Sequence, residues 1–331
     1  MEFIVLFLLF SLINNIYSSE ATDVKKLFVF GDSLVDVGNF PDQKLGGFDE
    51  PYGMTFPGKP SGRFSDGRVL SDYIASFLGL EAPVAFKARK ITEKSKIENG
   101  MNFACSGSAV LDHPVIQPRA PNMTEQIDYF QAMLDDEKLF TKDDLQSSIA
   151  FINIGVNDYI AHKRGDNITS LPNIAAKVID QLVLDIKRIQ DLGMPKIALA
   201  TLIPLGCAPT HSIKSPKKCC DEEINKIIES YNQKLKEAVK ELKNVEIIDV
   251  YGAMTSALNR PAESLKFDPL EQCCGGSDFP HFCGKEKGEK KMYKVCDDPK
   301  LSIFWDYVHP SQNGWELIYS ALKPSLNVLF N

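Results

Sequence analysis

The run Lys26-Leu27-Phe28-Val29-Phe30, closed by Gly31, constrains the fold more than any other stretch of the chain. It is short, apolar and rich in aromatics, with no polar residue alternating through it. Both faces of such a strand must be covered, which is the situation of a central strand in a parallel sheet. Gly31 stops the strand and leaves Ser33, in Gly31-Asp32-Ser33-Leu34, at its carboxyl end. Doubly wound α/β sheets place their chemistry in the crevice outside the strand ends. A serine hydroxyl is a poor nucleophile alone, so the rest of the chain has to supply a base and donors for an oxyanion.

The base lies near the other end. In Asp306-Tyr307-Val308-His309-Pro310 a carboxylate stands three residues before an imidazole. On one turn the acid can hold the ring's Nδ1 proton and leave Nε2 free to deprotonate a serine. Two stretches between these ends offer neutral donors: Asn102-Phe103-Ala104-Cys105-Ser106-Gly107, a small-residue loop, and Gly155-Val156-Asn157-Asp158, which follows the apolar strand 149–154. A glycine N–H and an asparagine amide can both face a developing negative charge without competing as bases. Asp32, beside the serine, is expected to hydrogen-bond turn amides rather than serve as the triad acid, because an adjacent side chain points elsewhere.

Taken in order, Ser33 in Phe-Gly-Asp-Ser, Gly107, Asn157 and the pair Asp306 and His309 resemble the four blocks of the SGNH hydrolases. The longer run from Phe28 to Asn39, Pro51-Tyr52-Gly53, Gly62 to Arg68, Pro204-Leu205-Gly206-Cys207, Cys273-Cys274-Gly275 and Phe304-Trp305-Asp306 narrow the resemblance to the plant-type GDSL esterase/lipases. It covers nearly all of the chain beyond the leader. The resemblance implies a three-layer, flavodoxin-like α/β fold with a central parallel sheet and helices on both faces. It further implies Ser33 as nucleophile, Asp306 and His309 completing a triad, and Ser33, Gly107 and Asn157 as oxyanion donors, with no cofactor and no metal. One departure is visible, since the family's loop usually has two adjacent glycines and here Ser106 precedes a single Gly107. Gly-x-Ser-x-Gly, the nucleophile signature of the α/β-hydrolases, is absent around Ser33, where Val35 stands in place of the second glycine.

Residues 1–20 have an apolar core too short to span a bilayer comfortably, followed by small residues, and read as a cleaved secretory signal despite Glu2 and the lack of Lys or Arg. Residues 21–331 then form a single domain, with no internal repeat, heptad run or Pro-rich linker. Seven of the eight cysteines fall in the second half, which fits local disulfides formed in an oxidising compartment. Zinc is the competing explanation, but there is no repeated Cys-x-x-Cys spacing and His211 and His281 are poorly placed to complete a site. Most or all eight cysteines are expected to pair, and Cys105 stands apart. Asn122 and Asn167 begin glycosylation sequons. A net charge of −7 argues against nucleic acid as a partner, and no later segment is long enough to span a membrane. Oligomeric state is not legible.

Strands are expected at 27–30, 148–154, 196–203 and 245–250, and helices at about 69–78, 124–134, 172–192, 222–242 and 312–322. Tyr251-Gly252 is expected to be a turn. Two loop-rich stretches, 40–68 and 265–299, interrupt the alternation. The first carries Phe40, Phe48, Tyr52, Phe56 and Phe64, which either bury the loop or meet substrate. The lysine-rich run 285–294 reads as a solvated face. His113, His162, His211 and His281 have no acid at triad spacing before them and default to structural or surface roles. The expected reaction is hydrolysis of a carboxylic ester, with acyl lipids or acylated small molecules as substrates in a secretory-pathway compartment. Transfer of the same acyl group to an alcohol and a binding-only secreted glycoprotein are the rival readings.

Overall fold

A computed structural model describes residues 24–40, 46–113, 119–165, 171–212, 219–260, 268–276, 283–287 and 290–330. The proposed signal 1–20, Asn167 and His281 lie outside them. The main sheet has six strands: β1 (Lys26–Gly31), β2 (Val84–Ala85), β3 (Gly100–Asn102), β4 (Ser148–Asn153), β5 (Lys196–Ala200) and β6 (Val245–Ile248). Their spatial order is β2-β3-β1-β4-β5-β6 and every pairing is parallel. The chain moves from β1 to one side and then returns to build β4 on the other, so the reversal of strand order falls between β1 and β4. That switch point opens a crevice at the carboxyl ends of the two strands.

The longer helices are α1 (Leu70–Phe77), α2 (Met123–Ala132), α3 (Val156–Gly165), α4 (Leu171–Asp191), α5 (Glu222–Val239), α6 (Val250–Leu258) and α7 (Gln312–Phe330). They pack as two groups, α2 with α4 and α4 with α5, and α7 with both α1 and α6. Right-handed crossovers explain the division, because connections running in opposite directions from the switch point must lie on opposite faces of the sheet. Leu27 through Phe30 are fully buried, as a strand covered on both sides requires. Phe30 stacks on Phe103 at 5.2 Å and Phe28 meets Phe130 of α2 at 5.3 Å. Burying each such ring contributes roughly 1.5–3 kcal/mol, so this cluster anchors the strand that carries Ser33.

Several boundaries differ from the sequence expectation for local reasons. β6 ends at Ile248 because Asp249 caps α6, its carboxylate accepting the Gly252 N–H, so Tyr251 and Gly252 lie inside a helix and do not form a turn. β5 ends at Ala200, short of 203. β3 has three residues, too few to show a period, and α3 begins within the stretch read only as a donor motif. α7 continues through Pro324 to Phe330.

Three disulfides, Cys207–Cys220, Cys273–Cys296 and Cys274–Cys283, are all local and all in the second half. Cys105 is not paired with another cysteine, contrary to the fullest version of the expectation: it lies buried in the loop after β3, while the other seven cysteines all belong to the second half. Cys273, Cys274 and Cys283 join Tyr52, Tyr293 and Trp305 in a small second core. The Cys273 and Cys274 N–H groups donate to the carbonyls of Phe304 and Trp305. The disulfide-tied loops thereby hold the segment leading into Asp306.

Candidate active site

Ser33 follows β1 directly, and the turn that presents it is built around Gly31. A Cβ on Gly31 would overlap the carbonyl oxygen of Asn153 in β4, so the close approach of the two strands demands glycine. The buried amide of Gln126 on α2 completes the seat: its Oε1 accepts the Gly31 N–H at 2.9 Å and its Nε2 donates to the Gly31 carbonyl at 2.8 Å. Asp32 accepts the Leu34 N–H at 3.0 Å, the turn bond anticipated for it.

At the opposite side of the crevice, Asp306 and His309 sit in the short segment before α7. His309 Nε2 lies 2.8 Å from Ser33 Oγ, and Nδ1 lies 2.8 Å and 2.9 Å from the two oxygens of Asp306. Asp306 also accepts the N–H groups of Val308 and His309 on Oδ1, while Tyr52 donates its hydroxyl to Oδ2 at 2.8 Å. Burial pushes the Asp306 carboxyl up, but the His309 ring and the backbone N–H groups of His309 and Val308 outweigh it and hold the group below its ordinary value. Asp306 is therefore the ionised partner of an imidazole whose free nitrogen faces the serine. The ring of Phe64 stands 5.1 Å from that of His309, so two aromatics of the 40–68 loop, Tyr52 and Phe64, meet the site, while Phe40 is buried.

Gly107 and Asn157 arrive from the two strands beside β1. The loop after β3 is pinned at Ser106, whose N–H donates to Asp36 at 2.8 Å, and Gly107 follows at φ +81°, in the left-handed region that favours glycine. The departure at Ser106 is thus accommodated, and the residue that needs to be glycine is glycine. Asn157, in the first turn of α3, donates one amide hydrogen to the Ser108 carbonyl at 2.8 Å, which fixes the amide plane and leaves the second hydrogen for a ligand. Among the described residues neither the Ser33 N–H nor the Gly107 N–H is taken by a protein acceptor.

The sequence motifs assign no role to the residues that support the site. Asp36 is buried and pushed up to about 6 by that burial, against the pull of its bonds from Asn39, Gly38 and Ser106. Asp158 accepts the N–H groups of Val110 and Leu111 and pairs with His113 at 3.0 Å, tying α3 to the donor loop. His113 is thus structural, with an acid partner that only the fold brings near. Tyr52, Asp36 and Asp158 each stand inside a motif read from the sequence but with no role assigned there, Gln126 stands in none, and each holds at least one group 45 or more positions away. Asn122, the described sequon asparagine, caps α2, accepting the Glu125 N–H. Among the described residues no group of three or more His, Cys, Asp or Glu side chains could hold a metal ion, and no helix is long and apolar enough to cross a membrane.

A serine, imidazole and carboxylate in line at the switch point of a parallel sheet have the arrangement of a serine hydrolase. Known proteins agree. The family described as GDSL-like Lipase/Acylhydrolase matches residues 27–322. A GDSL esterase/lipase of Arabidopsis thaliana is 39% identical over 316 residues, spanning 91% of this chain and 86% of the relative. A second from the same plant is 38% identical over 323 residues, spanning 92% and 89%. The chain belongs to the GDSL-like lipase/acylhydrolase family. The solved acetylxylan esterase of Geobacillus stearothermophilus is more distant, at 15% identity and a TM-score of 0.41 over 94% of this chain and 96% of its own.

Proposed function

We propose that this protein hydrolyses carboxylic esters through an acyl-enzyme on Ser33. The observation that carries the reading is the unbroken line of contacts from Asp306 through His309 to Ser33 Oγ. Ser33 Oγ attacks the carbonyl carbon as its proton passes to His309 Nε2, and the charge left on the carbonyl oxygen is met by the Ser33 and Gly107 N–H groups and the Asn157 amide. Collapse breaks the bond to the alcohol, which takes the proton from His309. Water then attacks the acyl-enzyme, giving its proton to His309, and the carboxylic acid leaves as Ser33 is regenerated. Asp306 stabilises the imidazolium at both stages. Acyl lipids and acylated small molecules are the substrate classes the family names suggest.

The three local disulfides support folding in an oxidising compartment and hence secretion of a single mature domain after removal of 1–20. Amino-terminal sequencing of secreted material tests both. The chemical step is tested by labelling with a serine-reactive phosphonate and by Ser33→Ala. Labelling at Ser33, lost in the variant together with at least about a thousandfold of turnover, is the expected result. Labelling elsewhere, or a folded Ser33→Ala enzyme that still turns over, removes the proposal. Product analysis with added alcohol separates hydrolysis from acyl transfer, with free acid expected as the main product.

A further inference from the structure

The side chain that shares Asp306 with His309 is Tyr52, which reaches the site from a loop more than two hundred residues earlier in the chain. It is buried, its ring lies edge-on to Trp305 at 6.0 Å and to Phe64 at 5.8 Å, and Phe64 in turn faces His309. We propose that Tyr52 is a positioning residue for the reaction: its hydroxyl holds Asp306 Oδ2 and sets how strongly Asp306 draws on the His309 Nδ1 proton. The inference rests on the triad reading above.

An ionised carboxylate only accepts hydrogen bonds, so the phenol must be the donor. Burial, followed by the nearby charges of Asp306 and Asp49 and the bond to Asp306 itself, holds the phenol well above its ordinary value, and it stays protonated wherever the enzyme works. A donor on Oδ2 does two things. It fixes the carboxylate plane relative to the ring, and it spreads the carboxylate's charge, which weakens its stabilisation of the imidazolium. Without the hydroxyl, Oδ2 loses a buried partner and the carboxylate bonds more strongly to a protonated ring. The acid limb of the pH profile must then move to higher pH. The other titratable groups facing this pair are Asp32, which interacts with His309 and which burial pushes up to about 7, and Asp49 beside Tyr52. Both are common to every variant below, so differences between profiles report Tyr52.

The test measures kcat, KM and the pH dependence of kcat/KM on p-nitrophenyl butyrate. Tyr52→Phe keeps the ring and its packing. It is expected to lower kcat about tenfold with KM little changed, and to move the acid limb up by about half a pH unit. Replacement of Tyr52 by 3-fluorotyrosine, a stronger donor of nearly the same size, should move the limb the opposite way, and it keeps the question open to measurement if the phenylalanine variant folds poorly. In an Asp306→Ala background Tyr52→Phe should cost nothing further, because the partner is gone. Unmoved pH profiles in both Tyr52 variants, or fully additive losses in the double variant, would overturn the role. Ser33→Ala separates the two levels. An inactive Ser33→Ala enzyme with unmoved Tyr52 profiles removes only the inference, whereas an active Ser33→Ala enzyme removes the triad reading.

Discussion

Asp32 stands beside the nucleophile at a measurable cost to stability that depends on pH. It is almost completely inaccessible, its Oδ1 accepts one N–H, and its Oδ2 has no hydrogen-bond partner among the described residues. Burial is the largest influence on it and, against the opposing Leu34 N–H and His309, pushes its carboxyl from the ordinary 3.8 up to about 7. The folded protein therefore binds a proton on Asp32 that the unfolded chain releases near pH 4. Its contribution favours the folded state at low pH and is lost as pH rises from about 4 to about 7. Roughly three pH units at 1.36 kcal/mol each give a ceiling of about 4 kcal/mol, and local relaxation and water entry bring this to about 2–4. Asp32→Asn is a neutral isostere of the protonated acid and keeps an oxygen for the Leu34 N–H. Urea unfolding with intact disulfides should find the two proteins nearly equal at pH 4, with the variant gaining up to about 1.4 kcal/mol per pH unit until the gap levels off above pH 7. A gap that does not change with pH, or a wild-type protein more stable than the variant at pH 8, would refute the reasoning.

Asn157→Ala should lower kcat by about a hundredfold or more with KM little changed, because its amide binds charge that develops only in the transition state, and steady-state kinetics on a model ester decides it. A loss confined to KM would make Asn157 a substrate-binding residue. Gln126→Leu removes both side-chain partners of buried Gly31 and should destabilise the protein by roughly 2–4 kcal/mol in urea unfolding; an unchanged midpoint would deny it that role. Non-reduced peptide mapping should recover Cys207–Cys220, Cys273–Cys296 and Cys274–Cys283, with Cys105 resisting alkylation until the protein unfolds, since its thiol is buried and raised in proton affinity by that burial. Rapid alkylation of Cys105 in the native protein would show that the loop after β3 is open.

The sequence by itself determined the class of fold and the chemical groups of the site. Leu27 to Phe30 reads as a strand covered on both faces, Gly31 ends it, and the step of three positions from Asp306 to His309 puts acid and base on one turn. These are local constraints, written in periodicity, sterics and spacing, so they are legible without contacts. The order of the strands was not legible, nor was β3, whose three residues are held by pairing with β1 and not by any preference of their own. The same holds for Tyr52 on Asp306, Gln126 on Gly31 and Asp158 with His113. Each of those bonds joins groups 45 or more positions apart. Only the closing of the sheet, with the disulfide-tied loops packed on Trp305, brings such partners within hydrogen-bond reach, because a hydrogen bond is set by distance and angle in space and leaves no period in the chain.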